Sequence, residues 1–129
     1  MSQKNEYAVE FRNVTLSINQ NRLVSNLNFQ INKGEALILL GRSGSGKSTT
    51  MKLINRLYRP TEGQVVFDGK STTEWDEIKL RRKVGYVIQE TGLFPHFTIE
   101  RNVGLVPSLE GWNSKQIKSR AFELLKLVG

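Results

Sequence analysis

The chain has 129 residues, 38% of them hydrophobic, which is enough for one globular domain or part of one. It contains no cysteine, which excludes disulfides and thiolate metal sites, and its longest apolar run, residues 36–40, is far too short to cross a bilayer. Lys and Arg outnumber Asp and Glu by 19 to 12, and the formal charge of +7 suits a polyanionic ligand, nucleic acid or an acidic membrane surface. Because the first residues, MSQKNE, hold no apolar signal core, we expect a cytoplasmic protein that can still dock on a membrane partner.

The first predicted elements are strands. Residues 7–15 alternate in part, and residues 27–31 alternate fully, between apolar and polar side chains. Residues 19–22, NQNR, have the chemistry of a turn and separate the two strands. After the Lys-Gly pair at 33–34, residues 35–40 are almost all apolar, which favours a strand buried on both faces.

Directly after that strand comes the most informative segment of the chain, residues 41–48, with the sequence GRSGSGKS. Strand, glycine-rich loop and helix is the order that the phosphate-binding pattern G-x-x-x-x-G-K-[ST] requires. The following helix is predicted over residues 49–58, ending before Pro60. The segment therefore predicts binding of a nucleoside triphosphate. An ordinary Gly/Ser surface loop with a stray lysine is the alternative, which the flanking elements disfavour.

Each residue of this loop has an expected role in holding a dense anion. The three glycines are expected to take positive φ and to bring the backbone close to the phosphates. Lys47 should reach the β- and γ-phosphates, the Ser48 hydroxyl should ligate Mg²⁺, and Thr49 should add a phosphate contact. The predicted ligand-binding set is Gly41, Arg42, Ser43, Gly44, Ser45, Gly46, Lys47, Ser48 and Thr49.

The middle of the chain predicts two more strands and a helix. Residues 63–67 form a strand that closes in the turn dipeptide at 68–69. Asp76 is a plausible N-cap for a short helix. Residues 84–88 are a further β-rich run, which ends at Gln89.

The last third predicts helices. Thr98 is expected to cap a short helix that ends before Pro107. Asn113, followed three residues later by Gln116, is close to a capping box. The helix after it carries an apolar stripe composed of Ile117, Ala121, Leu124, Leu125 and Val128.

The densest basic cluster is residues 79–83, KLRRK, at the end of the helix that follows Asp76. Basic residues there complement the negative end of the helix dipole. No aromatic residue interleaves with the cluster as a base-stacking platform would. A solvated helix end is therefore favoured over a nucleic-acid patch.

With these elements in place, the chain resembles the ATP-binding subunit of an ABC transporter. The resemblance rests on residues 41–48, on LINRLYRPTEG at 53–63 and on VGYVIQETGLFPH at 84–96. Together with LVPSLEGW at 105–112, these segments are most similar to importers of quaternary amines such as glycine betaine and choline. The resemblance implies an α/β fold, the ABC-type nucleotide-binding domain of the P-loop NTPases, and it covers essentially the whole chain but only the first half of such a subunit.

The same resemblance implies how the domain is organised. Residues 1–129 would hold an N-terminal antiparallel β subdomain, a partial core sheet with the P-loop helix, the Q-loop and the start of the helical subdomain. The downstream half, with the signature loop and the acidic strand end of the Walker B motif, would be absent. The chain alone is therefore expected to bind ATP without efficient hydrolysis.

Further site residues follow from the resemblance. Gln89 matches the Q-loop glutamine and would position Mg²⁺ or the attacking water, while residues 90–97 would transmit nucleotide state to a membrane subunit. Ile18 stands where the family usually has an aromatic residue that stacks on adenine, so it would cover the base by apolar contact only. His96 does not match the switch histidine of the family.

The resemblance also implies a function: ATP hydrolysis coupled to import of an osmoprotectant-like solute. The cofactors would be ATP and Mg²⁺. The partners would be a transmembrane permease and a second nucleotide-binding subunit, with the chain on the cytoplasmic side of the membrane and no nucleic acid bound. Two alternatives remain open, a nucleotide-binding regulatory module that does not hydrolyse ATP and, less favoured, a basic nucleic-acid-associated ATPase.

Overall fold

The computed structural model describes residues 6–90 and 92–129. The chain divides into two compact units, Met1–Gly85 and Tyr86–Gly129. In chain order the described elements of the first unit are β1 (Tyr7–Ile18), β2 (Asn21–Asn32), α1 (Lys47–Ile54), β3 (Glu62–Phe67), β4 (Lys70–Ser71) and α2 (Glu77–Lys83). Those of the second unit are α3 (Ile99–Val103), α4 (Leu105–Leu109) and α5 (Ser114–Val128). Within the described part, no helix is both long and apolar enough to span a membrane.

The four strands form one antiparallel sheet in the order β2-β1-β3-β4. Phe11 on β1 lies opposite Phe29 on β2 and Val65 on β3. The Phe11 and Phe29 rings stack with their centroids 4.4 Å apart. The predicted antiparallel β subdomain is therefore present, built around β1 as its central strand.

A β-bulge explains why the apolar pattern of β1 alternates only in part. Val9 and Phe11 are buried, and so are Val14 and Leu16, which breaks a strict period of two. From Phe11 to Val14 the strand advances three residues while β2 advances two, and the extra residue lies near Asn13, whose φ is 50°. Such a bulge shifts the register by one residue and returns the apolar side chains to the core face.

The sheet buries one face against α1, and this contact positions the predicted phosphate loop. Leu53 of α1 is fully buried in the same cluster as Phe11 and Val65, and Thr50 is also buried. Because the loop leads directly into α1, the packing of Leu53 determines where the first turn of the helix lies.

Helix α1 begins at Lys47 and ends at Ile54, earlier at both ends than predicted. Pro60 does not end it. Instead, Arg56 adopts φ 57°, its N–H donates to the Leu53 carbonyl, and the Leu57 N–H donates to the Lys52 carbonyl. This pair of bonds is a Schellman motif, which satisfies the last helical carbonyls four residues before the proline.

Two predicted strands, residues 35–40 and 84–88, are not formed in this structure. In the first, the exposed fraction reaches 77% for Ile38 and 89% for Leu40, and Val87 in the second is 93% exposed. A β ladder needs a neighbouring strand that accepts and donates backbone hydrogen bonds, and among residues 6–90 and 92–129 neither segment has one. The apolar runs indicate that these residues favour burial, but a strand forms only when a neighbouring strand pairs with it.

Helix α2 begins as predicted, since the Asp76 carboxylate accepts from the Lys79 N–H. The basic cluster at its end is bonded to the protein: Arg81 donates to the Asn55 and Arg56 carbonyls after α1 and pairs with Glu77 at 2.8 Å. The structure also brings an aromatic residue to this cluster, because the Lys70 and Lys83 ammonium groups lie 5.5 and 5.7 Å from the Trp75 ring.

That indole is half-buried, and its N–H donates to the Phe67 carbonyl. It packs edge-on against the Phe67 ring at 5.8 Å. Trp75 therefore packs within the first unit, and residues 79–83 lie at the end of α2, as predicted.

Both predicted caps of the second unit are observed. The Thr98 hydroxyl accepts from the Arg101 N–H, and Asn113 and Gln116 form a complete capping box at the start of α5. Pro107 lies inside α4 and not after a helix. It is the third helical residue, where the backbone N–H has no intrahelical acceptor, so the missing donor costs nothing.

The apolar stripe of α5 is buried only in part. Ala121 is buried and Ile117 and Leu124 are half-buried, whereas Leu125 is 38% and Val128 81% exposed. Gly104 lies close to α5: a Cβ there would be 2.4 Å from Ile117 Cγ2 and 2.9 Å from the Glu100 carbonyl oxygen. This glycine lets α3 and α4 pack directly on α5.

Replacing Gly104 by alanine is expected to destabilise the second unit by about 1–3 kcal/mol, because the added methyl group must displace Ile117. Urea unfolding followed by helical circular dichroism measures the loss. Gly85→Ala is the matched control, since a Cβ at Gly85 meets no atom within 4 Å. Equal effects of the two substitutions would contradict the packing explanation.

Candidate nucleotide-binding site

The Lys47 side chain folds back over the predicted phosphate loop. Its ammonium group donates to the carbonyls of Gly41 and Arg42, both at 2.7 Å, and to Ser45 Oγ at 3.2 Å. An ammonium has three hydrogens to donate, and all three are directed at neutral oxygen atoms of the loop itself. The positive charge is thereby held in the concave side of the loop, where phosphate oxygens would make stronger, charge-assisted bonds.

The glycines of the loop serve two different purposes. Gly44 and Gly46 adopt φ values of 80° and 90°, as predicted. Gly41 does not have positive φ, which corrects the prediction; its role is to allow close approach, since a Cβ there would lie 2.5 Å from Ser45 Oγ. Around Gly44 a Cβ would meet no atom within 4 Å, so that face of the loop is open.

The N-terminus of α1 supplies uncapped backbone donors. Gly46 is the N-cap and makes no side-chain capping bond, and the first helical bond runs from the Thr50 N–H to the Gly46 carbonyl at 2.8 Å. The N–H groups of Lys47, Ser48 and Thr49 therefore have no acceptor in the described chain. Together with the helix dipole, they form an anion-binding position beside the Lys47 ammonium.

Ser48 and Thr49 lie in the first turn of α1, next to these amides. The Ser48 side chain is exposed and makes no hydrogen bond to any described residue, so its hydroxyl oxygen can ligate a cation. Mg²⁺ prefers oxygen ligands and is commonly held by one or two protein oxygens together with substrate phosphates and water. The residues present thus fit a magnesium–phosphate ligand. The remaining predicted members, Arg42 and Ser43, are exposed loop residues.

Two residues of β2 support the site, and the sequence did not indicate them. A Cβ at Gly46 would lie 2.7 Å from Val24 Cγ1 and 2.9 Å from the Leu23 carbonyl oxygen. The start of α1 therefore packs against β2. The first turn of the helix is further stabilised by Thr50 Oγ1, which donates to the Gly46 carbonyl at 2.9 Å. Only the tertiary arrangement brings Leu23 and Val24 to the loop.

Ile18 is the last residue of β1 and pairs with Asn21 across a two-residue turn. Asn19 and Gln20 take φ 48° and 65°, the positive values of a type I′ hairpin turn. The side chain is 37% exposed. It lies in the first unit, two residues beyond Leu16, which pairs with the loop-supporting Val24. Its contact with a base stays a prediction.

Gln89 belongs to the second unit, where it is exposed in a bend. The predicted phosphate-loop residues and Ile18 all belong to the first unit. The role of Gln89 as a magnesium or water ligand therefore remains a prediction. Thr91, part of the predicted transmitting segment 90–97, lies outside the described residues.

The sequence profile of the ABC transporter family matches residues 24–129, which include the phosphate loop, α1 and Gln89. The chain belongs to the ABC transporter family. The α/β class implied by the family resemblance is thereby confirmed. Two solved structures of ABC proteins agree with this assignment.

A dimeric post-hydrolysis state of the ATP-binding cassette MJ0796, bound to ADP and Pi, matches with a TM-score of 0.77 and 35% identity over 92% of this chain and 56% of that one. A bacterial Atm1-family ABC exporter with ATP bound matches with a TM-score of 0.70 and 32% identity over 79% of this chain and 18% of that one. Nucleotide is thus bound in both structural relatives.

Curated relatives are ATP-binding proteins of transport systems. The choline transport ATP-binding protein OpuBA of Bacillus subtilis is 53% identical over 83% of this chain. The osmoprotectant import ATP-binding protein OsmV of Salmonella typhimurium is 47% identical over the same share. The chain spans 28% of the length of each of these two relatives.

Proposed function

We propose that this chain is the nucleotide-binding part of an ATP-binding subunit in an importer of quaternary-amine osmoprotectants such as glycine betaine, choline or carnitine. The observation that supports nucleotide binding is the arrangement of Lys47 and the start of α1. The Lys47 ammonium lies on the carbonyls of the glycine loop, and the three uncapped amides belong to the helix turn that directly follows the loop. This combination binds the β- and γ-phosphates of ATP.

The type of solute is supported by similarity alone. Relatives with identities of 47–53% are named for choline, glycine betaine, carnitine or osmoprotectant transport. An ATP-binding subunit of this kind works with a transmembrane permease and a second nucleotide-binding subunit at the cytoplasmic side of the membrane. We propose both partners for this chain, and no nucleic acid.

We further propose that Ser48 ligates Mg²⁺, that Gln89 orients the attacking water or the same ion, and that Ile18 covers the adenine. Held by these residues, Mg²⁺ would supply positive charge that stabilises phosphoryl transfer. In domain terms, residues 1–129 would hold the β subdomain and the P-loop core as far as the Q-loop at Gln89, followed by the start of the helical subdomain. The chain alone is proposed to bind ATP without efficient hydrolysis.

Calorimetric titration of the purified chain with MgATP tests the binding proposal. Saturable binding that is lost when Mg²⁺ is chelated is the expected result, and no measurable heat from folded protein would overturn the proposal. A phosphate-release assay on the same sample separates the alternatives. Turnover as rapid as that of intact transporter ATPases would contradict the proposal that the chain alone hydrolyses ATP slowly. Binding without turnover would agree with that proposal and also with a regulatory module.

Replacing Ile18 by tyrosine is expected to tighten ATP binding by about 1–3 kcal/mol, roughly 5- to 150-fold, because an aromatic face can stack on the base. The measurement is the Kd for MgATP with inorganic triphosphate as a reference ligand. Triphosphate affinity should not change, since it has no base. A tyrosine variant that tightens both ligands equally, or neither, would contradict the proposed position of Ile18.

A further inference from the structure

A single side chain, Asn102 of α3, makes four hydrogen bonds to the backbone of the preceding loop, residues 94–98. Its Oδ1 accepts from the Phe94 N–H at 2.8 Å. The two hydrogens on its Nδ2 are shared among the carbonyls of Phe94, Phe97 and Thr98, which lie at 3.1, 3.3 and 3.1 Å. The orientation of the carboxamide is unambiguous, because an N–H can only donate and a carbonyl can only accept.

The loop held in this way carries a cluster of rings, which we name the aromatic loop. The His96 ring lies 4.5 Å from the Phe97 ring and 6.1 Å from the Phe94 ring, and the two phenylalanine rings are 5.1 Å apart. The Arg101 guanidinium covers the Phe97 ring at 3.7 Å. Phe94 is nevertheless 45% exposed. The rings thus form an ordered surface on a segment without regular secondary structure.

A loop of this kind normally samples many conformations, and ordering it during binding weakens the complex. Bonds from one carboxamide to three successive parts of the loop remove that freedom beforehand. Asn102 is also suited to the task by its position, because α3 follows the aromatic loop immediately and its N-cap, Thr98, is part of it.

We propose that Asn102 is a positioning residue, which holds the aromatic loop in one conformation and so preforms the surface made by Phe94, His96 and Phe97. This inference rests on the proposed function of the chain as an ATP-binding subunit that works with a transmembrane permease, to which residues 90–97 would transmit nucleotide state, as the family resemblance implies. In that function, Asn102 contacts neither nucleotide nor solute and acts through the aromatic loop.

His96 provides a direct test, because it is the only histidine of the chain, so the imidazole Cε1–H signal in proton NMR can be assigned to it without ambiguity. In the full chain, the neighbouring rings should displace this signal from its value in an unfolded peptide. Asn102→Ala should return it most of the way to that value. The exchange of the Phe94 amide hydrogen should become about tenfold faster or more, the equivalent of one lost hydrogen bond.

Asn102→Asp keeps the shape and the acceptor oxygen but removes the two amide hydrogens, and it guards against an alanine variant that does not fold. It should shift the His96 signal as alanine does while leaving the Phe94 amide closer to its original exchange rate. The matched control is Asn113→Ala, which removes the cap of α5. It should lower the melting temperature and leave the His96 signal in place.

The proposal is overturned if His96 and Phe94 are unchanged in both Asn102 variants, or if Asn113→Ala moves the His96 signal as far as they do. Neither readout requires nucleotide or a membrane partner. Failure of the chain to bind MgATP would therefore remove the proposed function and leave the NMR result on Asn102 as it stands.

Discussion

Lys47→Ala is expected to weaken MgATP binding by about 2–4 kcal/mol, roughly 30- to 700-fold, as measured by calorimetry. In the free protein the Lys47 ammonium donates hydrogen bonds to the Gly41 and Arg42 carbonyls. Its removal therefore leaves no buried charge without a partner. The loss falls instead on the bound state, where the β- and γ-phosphates no longer have a charged partner. The melting temperature should change little. A large loss of MgATP affinity with a nearly unchanged melting temperature distinguishes a ligand-binding role from a structural one.

Lys52→Ala is the matched control for Lys47. It removes the same charge from the same helix, at its last turn, where the ammonium lies 5.6 Å from the Tyr58 ring. It should leave MgATP affinity within about threefold. If Lys47→Ala binds as tightly as the unmodified chain, or if both substitutions weaken binding equally, the site described above is wrong.

Gly63→Ala is expected to destabilise the first unit by about 3–5 kcal/mol, among the largest effects of any single methyl group in the described structure. Gly63 has φ 71°, and a Cβ would lie 2.2 Å from the Asn13 carbonyl oxygen and 2.3 Å from that of Arg12. Those atoms belong to the bulge of β1, so neither can move without disturbing the ladder with β3. Urea unfolding followed by circular dichroism measures the effect.

Gly34→Ala separates the two contributions to the destabilisation by Gly63→Ala, which are backbone strain and the close contact with β1. Gly34 also has positive φ, 80°, but a Cβ there meets nothing within 4 Å. Its substitution should cost about 1–2 kcal/mol, the backbone strain alone. Equal losses for the two variants would show that strain and not the close contact with β1 accounts for the requirement for glycine at 63.

The sequence was most informative where structure depends on residues close together in the chain. The positive φ of Gly44 and Gly46, the caps at Asp76, Thr98 and Asn113, and the turn between β1 and β2 are all observed. In each, the deciding interaction joins residues that are a few positions apart. Family membership could be inferred for the same reason, since the phosphate loop is a continuous segment.

Prediction failed where a partner distant in sequence decides the outcome. Residues 35–40 have the composition of a buried strand, yet no described strand pairs with them. The end of α1 came from a Schellman motif at Arg56, a residue with no intrinsic preference for positive φ. For Arg56 the decisive contacts include the bond from its own side chain to the Trp75 carbonyl at 2.7 Å.

The sequence alone therefore predicted a glycine loop that leads into a helix beginning near Lys47 and Ser48, and it indicated phosphate as the ligand that we propose, because local spacing sets both the backbone conformation and the donors. Tertiary structure alone decided that β2 supports Gly46, that Lys47 rests on the Gly41 and Arg42 carbonyls, and that Asn102 orders the aromatic loop. The support of Gly46 by β2 depends on the distance to a residue more than twenty positions away. The Lys47 and Asn102 contacts depend on side-chain direction, and a linear pattern records neither that direction nor a distance between remote residues.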